Sequence, residues 1–310
     1  MKKGVVIKST GSSYLVRDLS GEEVTCRLKG KFKIKGIKNT NPVAVGDNVE
    51  FEIRDDVGLI TAIEERRNYI IRKSTKLSKR QHIIASNIDQ AVLVISLIEP
   101  RTTTGFIDRF LVTAEAYSIP SALVFNKIDI YSKEQIDELD MLTNIYSSAG
   151  YENIHVSAKT GLNLHTLKSI LKGKRSLFSG NSGVGKSALV NAMDPSKNLK
   201  IGDVSQYHRK GKHTTTFAAM YELNFGAYII DTPGIKEFGL IDFNKYELSH
   251  YFPEMRAYLG KCRFNNCTHD QEPDCRVKEA VDEGDIAALR YQSYLRILHD
   301  DELQNLDYEN

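Results

Sequence analysis

The chain has 310 residues and a formal net charge of +2, and its composition, 41% hydrophobic and 26% charged, is that of an ordinary globular protein. That length suits two or three domains with buried cores, and no apolar run approaches the roughly 18 residues a membrane span needs. Four cysteines are too few for a disulfide scaffold, and Met1-Lys2-Lys3-Gly4 leads into a strand-like run rather than a signal peptide, so a reducing, cytoplasmic setting is expected.

Residues 1–70 read as all-β. Gly4–Ile7, Tyr14–Arg17, Glu23–Leu28 and Val49–Ile53 are short strand-like runs, punctuated by Gly11-Ser12-Ser13, Ser20-Gly21, Asn41-Pro42 and Gly46-Asp47. So many strands in so short a stretch predict a small closed barrel, because closure removes exposed strand edges. An OB-like barrel is the first choice and an SH3-like barrel the alternative. Cys26, inside a strand, reads as a small buried residue. Lys29, Lys31, Lys33, Lys35 and Lys38 crowd one segment, and Arg66, Arg67, Arg72 and Lys73 lie near the barrel exit. Seven Lys or Arg and no acid fall between Arg66 and Arg80, whereas residues 281–310 are strongly acidic. Such basic runs fit either nucleic-acid phosphates or a plain solvated surface.

Residues 85–235 alternate strand and helix. The apolar runs Ala91–Leu97, Ser121–Phe125, Asn153–Val156 and Tyr228–Ile230 predict strands buried on both faces, as in a parallel sheet. Helices are expected over Phe106–Ser118, Ser132–Ala149, Asn163–Leu171 and Lys186–Met193. This is the pattern of a doubly wound α/β domain. From about Glu237 the pattern turns helical, with a cysteine-rich insert.

Asn126-Lys127-Ile128-Asp129 comes directly after an apolar strand. A carboxylate at Asp129 can accept from both the N1 and N2 donors of guanine, a pair that adenine lacks, and a polar site matched to one base rejects the other through unpaired groups. Lys127 would cover the ring, and Ser157-Ala158-Lys159 would line the opposite side. Gly180-Asn181-Ser182-Gly183-Val184-Gly185-Lys186-Ser187 follows strand-like Ser176-Leu177-Phe178 and opens a helix, the context of a phosphate-binding loop. Its glycines let backbone N–H groups close on phosphate oxygens at a helix N-terminus. Lys186 is expected to reach the β- and γ-phosphates and Ser187 to ligate Mg²⁺.

Asp231-Thr232-Pro233-Gly234 begins 44 residues after Ser187. Asp231 suits a water-mediated Mg²⁺ contact, and the Gly234 N–H suits the γ-phosphate. Gly211-Lys212-His213-Thr214-Thr215-Thr216 lies between the two motifs, in the position of switch I. Thr215 is the first choice for a Mg²⁺ ligand there, with Thr214 and Thr216 as alternatives. Ile235 stands where many GTPases carry a water-orienting glutamine, and an apolar chain cannot orient water. His213 is the nearest titratable replacement, hence the candidate catalytic residue. The guanine motifs precede the phosphate loop, the reverse of the ordinary order, which implies a circular permutation.

Cys262-x4-Cys267-x-His269-x5-Cys275 places three thiols and an imidazole within fourteen residues. That donor set is the one a closed, tetrahedral structural zinc site uses, with no position left open for catalysis.

The motif order, the N-terminal barrel, His213-Thr214-Thr215-Thr216 and the Cys-Cys-His-Cys insert together closely resemble the RsgA/YjeQ family, circularly permuted GTPases that act in maturation of the small ribosomal subunit. Gly30-Lys31-Phe32 and Asn41-Pro42-Val43-Ala44-Val45-Gly46-Asp47 add to a resemblance that covers essentially the whole chain. It implies a multidomain layout: an N-terminal all-β OB-like RNA-binding barrel (1–72), a central α/β circularly permuted P-loop GTPase domain (73–240) and a C-terminal α-helical zinc-binding domain (241–310). It further implies hydrolysis of GTP to GDP stimulated by the 30S subunit, a late role in that subunit's assembly, contact with 16S rRNA, one structural Zn²⁺, and Mg²⁺ with GTP. A monomer without membrane attachment is expected. A GTP-dependent RNA-binding switch with incidental hydrolysis is the alternative.

Overall fold

The computed structural model describes residues 1–10, 13–28, 42–72, 82–199, 218–231 and 245–299, with the main chain alone at Arg72, His82 and Asp231. The lysine-rich stretch 29–38, with Gly30-Lys31-Phe32, lies outside them, as does Lys73.

Five strands, β1 (Lys2–Ser9), β2 (Tyr14–Asp18), β3 (Glu23–Leu28), β4 (Asn48–Arg54) and β5 (Val57–Ile63), run in the order β1-β2-β3-β5-β4 and close back on β1. All pairs are antiparallel except β3 with β5, which is parallel. This is the OB-like connectivity, so the SH3-like alternative falls. Alternation along the strands sends Val6, Tyr14, Val16, Val24, Cys26, Val49, Phe51 and Ile60 inward. Cys26 is fully buried opposite Gly58, where a Cβ would sit 2.3 Å from its Sγ. Asp55 and Asp56 both adopt positive φ, forming the two-residue turn that joins β4 to β5.

A two-stranded sheet, β6 (Tyr69–Arg72) with β7 (His82–Ser86), flanks the barrel. Asp47 anchors it. Its fully buried carboxylate accepts from the Ala44 N–H, from Ser86 Oγ at 2.5 Å and from both arms of Arg66 at 2.7 Å. Arg66 is therefore not offered to nucleic acid. Its side chain is only 8% exposed and is spent on a buried carboxylate. Arg67 pairs with Asp89 but keeps its side chain largely exposed.

The central sheet continues as β10 (Glu152–His155), β9 (Ser121–Phe125), β8 (Gln90–Ile95), β11 (Arg175–Ser179), β13 (Tyr228–Asp231) and β12 (Ala219–Glu222). The first five are parallel, and β12 runs antiparallel to β13. Every residue of β8 is buried, as a strand covered on both faces requires. The helices α1 (Thr104–Ala116), α2 (Lys133–Ser148), α3 (Leu164–Leu171) and α4 (Lys186–Met193) cover the sheet. Thr103 caps α1 by accepting from the Phe106 N–H, and Ser132 with Gln135 forms a capping box on α2. The barrel joins the edge of this sheet where Lys8 of β1 pairs with Ala219 of β12. Arg17 bridges to Glu222 beside that contact, and Arg175 donates to Gly46 O and Asn48 Oδ1.

The C-terminal part is less helical than its pattern predicts. 3₁₀ turns at Leu248–Tyr251 and Pro253–Tyr258 precede the short helices α5 (Arg276–Asp282) and α6 (Ala288–Leu298). It does have an apolar core, which borrows Val112 from α1 and surrounds it with Leu248, Phe252, Met255, Val277 and Tyr294. Arg290 of α6, 1% exposed, ties the two parts together. It donates to Asp108 of α1 at 2.6 Å and to Glu254 at 2.6 Å, and lies over the rings of Phe252, Tyr146 and Tyr151. Removing one member of such a network strands the others as uncompensated buried charges. Arg290→Ala is therefore expected to cost about 3–5 kcal/mol, read as a large drop in the urea midpoint. Arg263→Ala, which removes an exposed pair with Asp274 and an exposed contact with the Phe264 ring, should move that midpoint far less.

Candidate active site

In an open α/β sheet, ligands bind beyond the carboxyl ends of the strands. The loops after β8, β9, β10 and β11 meet there, and they carry most of the residues singled out from the sequence.

The loop Gly180–Ser187 joins β11 to α4. Gly180, Gly183 and Gly185 all take positive φ, which side chains resist. Two of them also lack room. A Cβ on Gly180 would lie 2.3 Å from Val94 O, and one on Gly185 would lie 2.3 Å from Asn126 Nδ2. The loop is thus pressed onto β8 on one side and onto the loop after β9 on the other. Lys186, 8% exposed, donates to Gly180 O at 2.6 Å and Asn181 O at 2.8 Å, so its ammonium crosses its own loop. Ser187, 5% exposed, follows at the first turn of α4. Val184 is fully buried and anchors the loop in the core, leaving Asn181, Ser182 and Gly183 at the opening.

Asn126, 1% exposed, is the hub of the site. Its Nδ2 donates to Val184 O at 2.9 Å and its Oδ1 accepts from the Ala158 N–H at 3.1 Å. One amide therefore fixes the phosphate loop and the Ser157-Ala158-Lys159 turn to the end of β9. Ser157 Oγ accepts from the Thr160 N–H at 3.1 Å, which leaves its own proton for Asp129 Oδ1 at 2.6 Å. The carboxylate of Asp129 is held in one orientation by this bond. Lys127 sits at φ +68°, and its ammonium donates to Glu99 O.

That last contact brings in a segment the motifs did not single out. The turn from β8 to α1 leans on both halves of the site: Pro100 Cδ lies 3.2 Å from where a Gly183 Cβ would be. Its place after a central parallel strand is the signal that marks it. Asp231 ends β13, where its main chain pairs with Ala219. His213, Thr215 and Gly234 lie outside the described residues.

In the C-terminal part, one donor atom each from Cys262, Cys267, His269 and Cys275 lies within 4.8 Å of every other. His269 Nδ1 is 3.5 Å from Cys262 Sγ and 3.4 Å from Cys275 Sγ, and these two sulfurs are 3.9 Å apart. A tetrahedral zinc with ordinary bond lengths requires about 3.6 Å between nitrogen and sulfur and about 3.8 Å between sulfurs. The donors fit a metal ion of that kind. Glu272 holds the loop by accepting from Thr268 N and Oγ1 and from the Asp270 N–H, while Tyr291 and Tyr294 donate to His269 O and Thr268 O. Burial raises the Cys275 thiol and pushes the Cys267 thiol up to about 12, so thiolates here call for a neighbouring cation.

The RsgA GTPase family model matches residues 63–241, and the RsgA N-terminal domain model matches residues 3–60. The chain is 52% identical over 312 residues to the small ribosomal subunit biogenesis GTPase RsgA of Flavobacterium psychrophilum, covering 99% of this chain and 96% of that one. It is 53% identical over 304 residues to the protein of that name from Christiangramia forsetii, covering 97% and 96%. The chain belongs to the RsgA GTPase family. Among solved structures, YjeQ from Thermotoga maritima matches with a TM-score of 0.79 at 35% identity, covering 96% of this chain and 97% of that one. YloQ, described as a circularly permuted GTPase, matches with 0.75 at 30%, covering 96% and 94%. As an RsgA GTPase the chain is a GTP-hydrolysing enzyme, and the permutation inferred from motif order agrees with the description of YloQ.

The contact between Gly185 and Asn126 is open to direct test. Gly185→Ala should weaken GDP binding by about fivefold to a hundredfold, because strain of this kind costs on the order of 1–3 kcal/mol. Titration with a fluorescent GDP measures it.

Proposed function

We propose that this enzyme binds GTP across the loops braced by Asn126 and hydrolyses it in late maturation of the small ribosomal subunit, contacting 16S rRNA and being stimulated by the 30S particle. The junction of Val184, Asn126 and Ala158 carries the reading of the site, since one buried amide joins the phosphate loop to the guanine loops. The ribosomal role rests on relatives of nearly full length that bear that name. The functional parts are the barrel 1–72, the GTPase domain 73–240 and the metal-binding domain 241–310.

In this reading Asp129, oriented by Ser157, accepts from guanine N1 and N2. The stem of Lys127 covers one face of the base, and Ala158 and Lys159 line the other. The N–H groups from Gly180 to Ser187 cradle the phosphates. Lys186 exchanges the carbonyls of Gly180 and Asn181 for the β- and γ-phosphate oxygens. Ser187 and Thr215 would hold Mg²⁺ directly and Asp231 through water; the ion, when bound, neutralises charge on the phosphates. The Gly234 N–H meets the γ-phosphate. His213 orients the attacking water in place of the missing glutamine. Cys262, Cys267, His269 and Cys275 hold one structural Zn²⁺.

GTP turnover should rise sharply with purified 30S subunits and stay low with 50S subunits, with ATP in place of GTP giving no turnover. A rate indifferent to 30S would sink the ribosomal part of the proposal. His213→Ala should keep GTP affinity within about twofold while losing most of the stimulated hydrolysis; undiminished turnover would end the role given to His213. Metal analysis of purified protein should find one zinc per chain, and Cys275→Ser should lower that ratio and destabilise the C-terminal part.

A further inference from the structure

The turn Ser96–Thr103 between β8 and α1 is closed on itself: the Thr102 N–H donates to Ser96 O at 2.8 Å, and the Ser96 N–H donates to Thr102 Oγ1 at 3.2 Å. Both residues are buried. From this closed base the turn makes three separate attachments. Its Leu97 N–H donates at 2.9 Å to the hydroxyl of Tyr131, which in turn donates at 2.8 Å to Asn126 O. Its Glu99 carbonyl accepts the ammonium of Lys127. Its Pro100 ring packs at the open face of Gly183 in the phosphate loop. Arg101 adds a pair with Glu138 of α2. The turn therefore touches the base-reading loop twice and the phosphate loop once.

We propose that the Leu97–Arg101 turn is a brace that sets the spacing between the guanine reader and the phosphate loop, with Tyr131 as its positioning residue; this rests on the guanine site described above. A nucleoside diphosphate gains affinity by engaging both halves at once, and the gain depends on their separation matching the ligand. Tyr131 suits the task chemically. Its one hydroxyl accepts from Leu97 and donates to Asn126, whose side chain already ties the phosphate loop to the Ser157 turn. Phenylalanine fills the same space with neither bond, leaving the buried Leu97 N–H and Asn126 carbonyl without this partner. Lys127 follows Asn126 directly, so slack there moves the stem that lies over the base. A loosened brace should leave each half intact and lose the advantage of binding both.

Calorimetric titration of the full-length protein with GDP and, separately, with inorganic pyrophosphate, both with Mg²⁺, tests this. Tyr131→Phe should weaken GDP binding about fivefold to tenfold and leave pyrophosphate within about twofold. GDP affinity equal to that of the unaltered protein would overturn the proposal. So would an equal loss for both ligands, which is what a merely structural role for Tyr131 would produce. Asp129→Asn serves as the control: if it leaves GDP binding unchanged, the guanine-site reading fails first and takes the brace with it. In the unaltered protein, exchange of the Leu97 amide should slow on binding GDP and not pyrophosphate, and no such difference would also count against the brace.

Discussion

The side-chain amide of Asn126 stands where a side chain on Gly185 would have to go, 2.3 Å from the place of the missing Cβ. The rest of the nucleotide site depends on that approach. Because Gly185 leaves the space, Asn126 can reach Val184 O and still receive the Ala158 N–H. Three loops from three different strands are thereby locked together by two hydrogen bonds of one group. Each bond contributes only about 1 kcal/mol net, but leaving a buried partner unmade costs more. The arrangement is indifferent to the order of the loops in the chain, which is why a permuted sequence can build it. What the site requires is that the strand ends converge, and the parallel sheet supplies that.

The two flanking parts attach to elements that run straight into the site. The barrel extends the sheet through Lys8 and Ala219, and β12 pairs with β13, whose last residue is Asp231. The metal-binding part grips α1 through Arg290, Asp108 and Val112, and α1 begins where the turn against Lys127 and Gly183 ends. Each flank therefore sits one element away from a nucleotide loop. The grip on α1 is a buried ion pair, worth little as net stability but severe in its geometric demands. It holds the metal-binding part to the body of the GTPase domain.

Much of this was legible in the residues. Strands buried on both faces announce themselves as apolar runs, and β3, β9 and α4 fall where their patterns place them. Glycine-rich and Asn-Lys-x-Asp motifs are local in sequence, so their chemistry can be read without a fold. The misses share a different cause. β5 hides behind Asp55-Asp56 and contains Gly58, a poor strand former kept because Cys26 occupies the space opposite. Arg66 and Arg290 look like solvated cations until Asp47, Asp108 and Glu254, distant in sequence, are folded around them. Tyr131 carries no motif at all; its importance lies in joining Asn126 O, five residues back, to the Leu97 N–H, which only the tertiary structure brings near. The four metal donors are readable because their spacing is short, whereas the Glu272, Tyr291 and Tyr294 bonds that hold them arise only in the folded chain.

The place of β11 between β8 and β13 has a consequence for synthesis of the chain. Of the central sheet, β8, β9 and β10 emerge from the ribosome first and can pair, but β8 is then an edge open on one side, apolar on both faces after Gln90. Its neighbour is not made until residues 175–179. At ordinary elongation rates that interval is about 4–16 s. For that time the nascent protein carries an open strand edge of the kind that templates wrong pairings. An unpermuted domain would make its phosphate-loop strand first. Here the base-reading half has to wait, exposed, for the half that completes it.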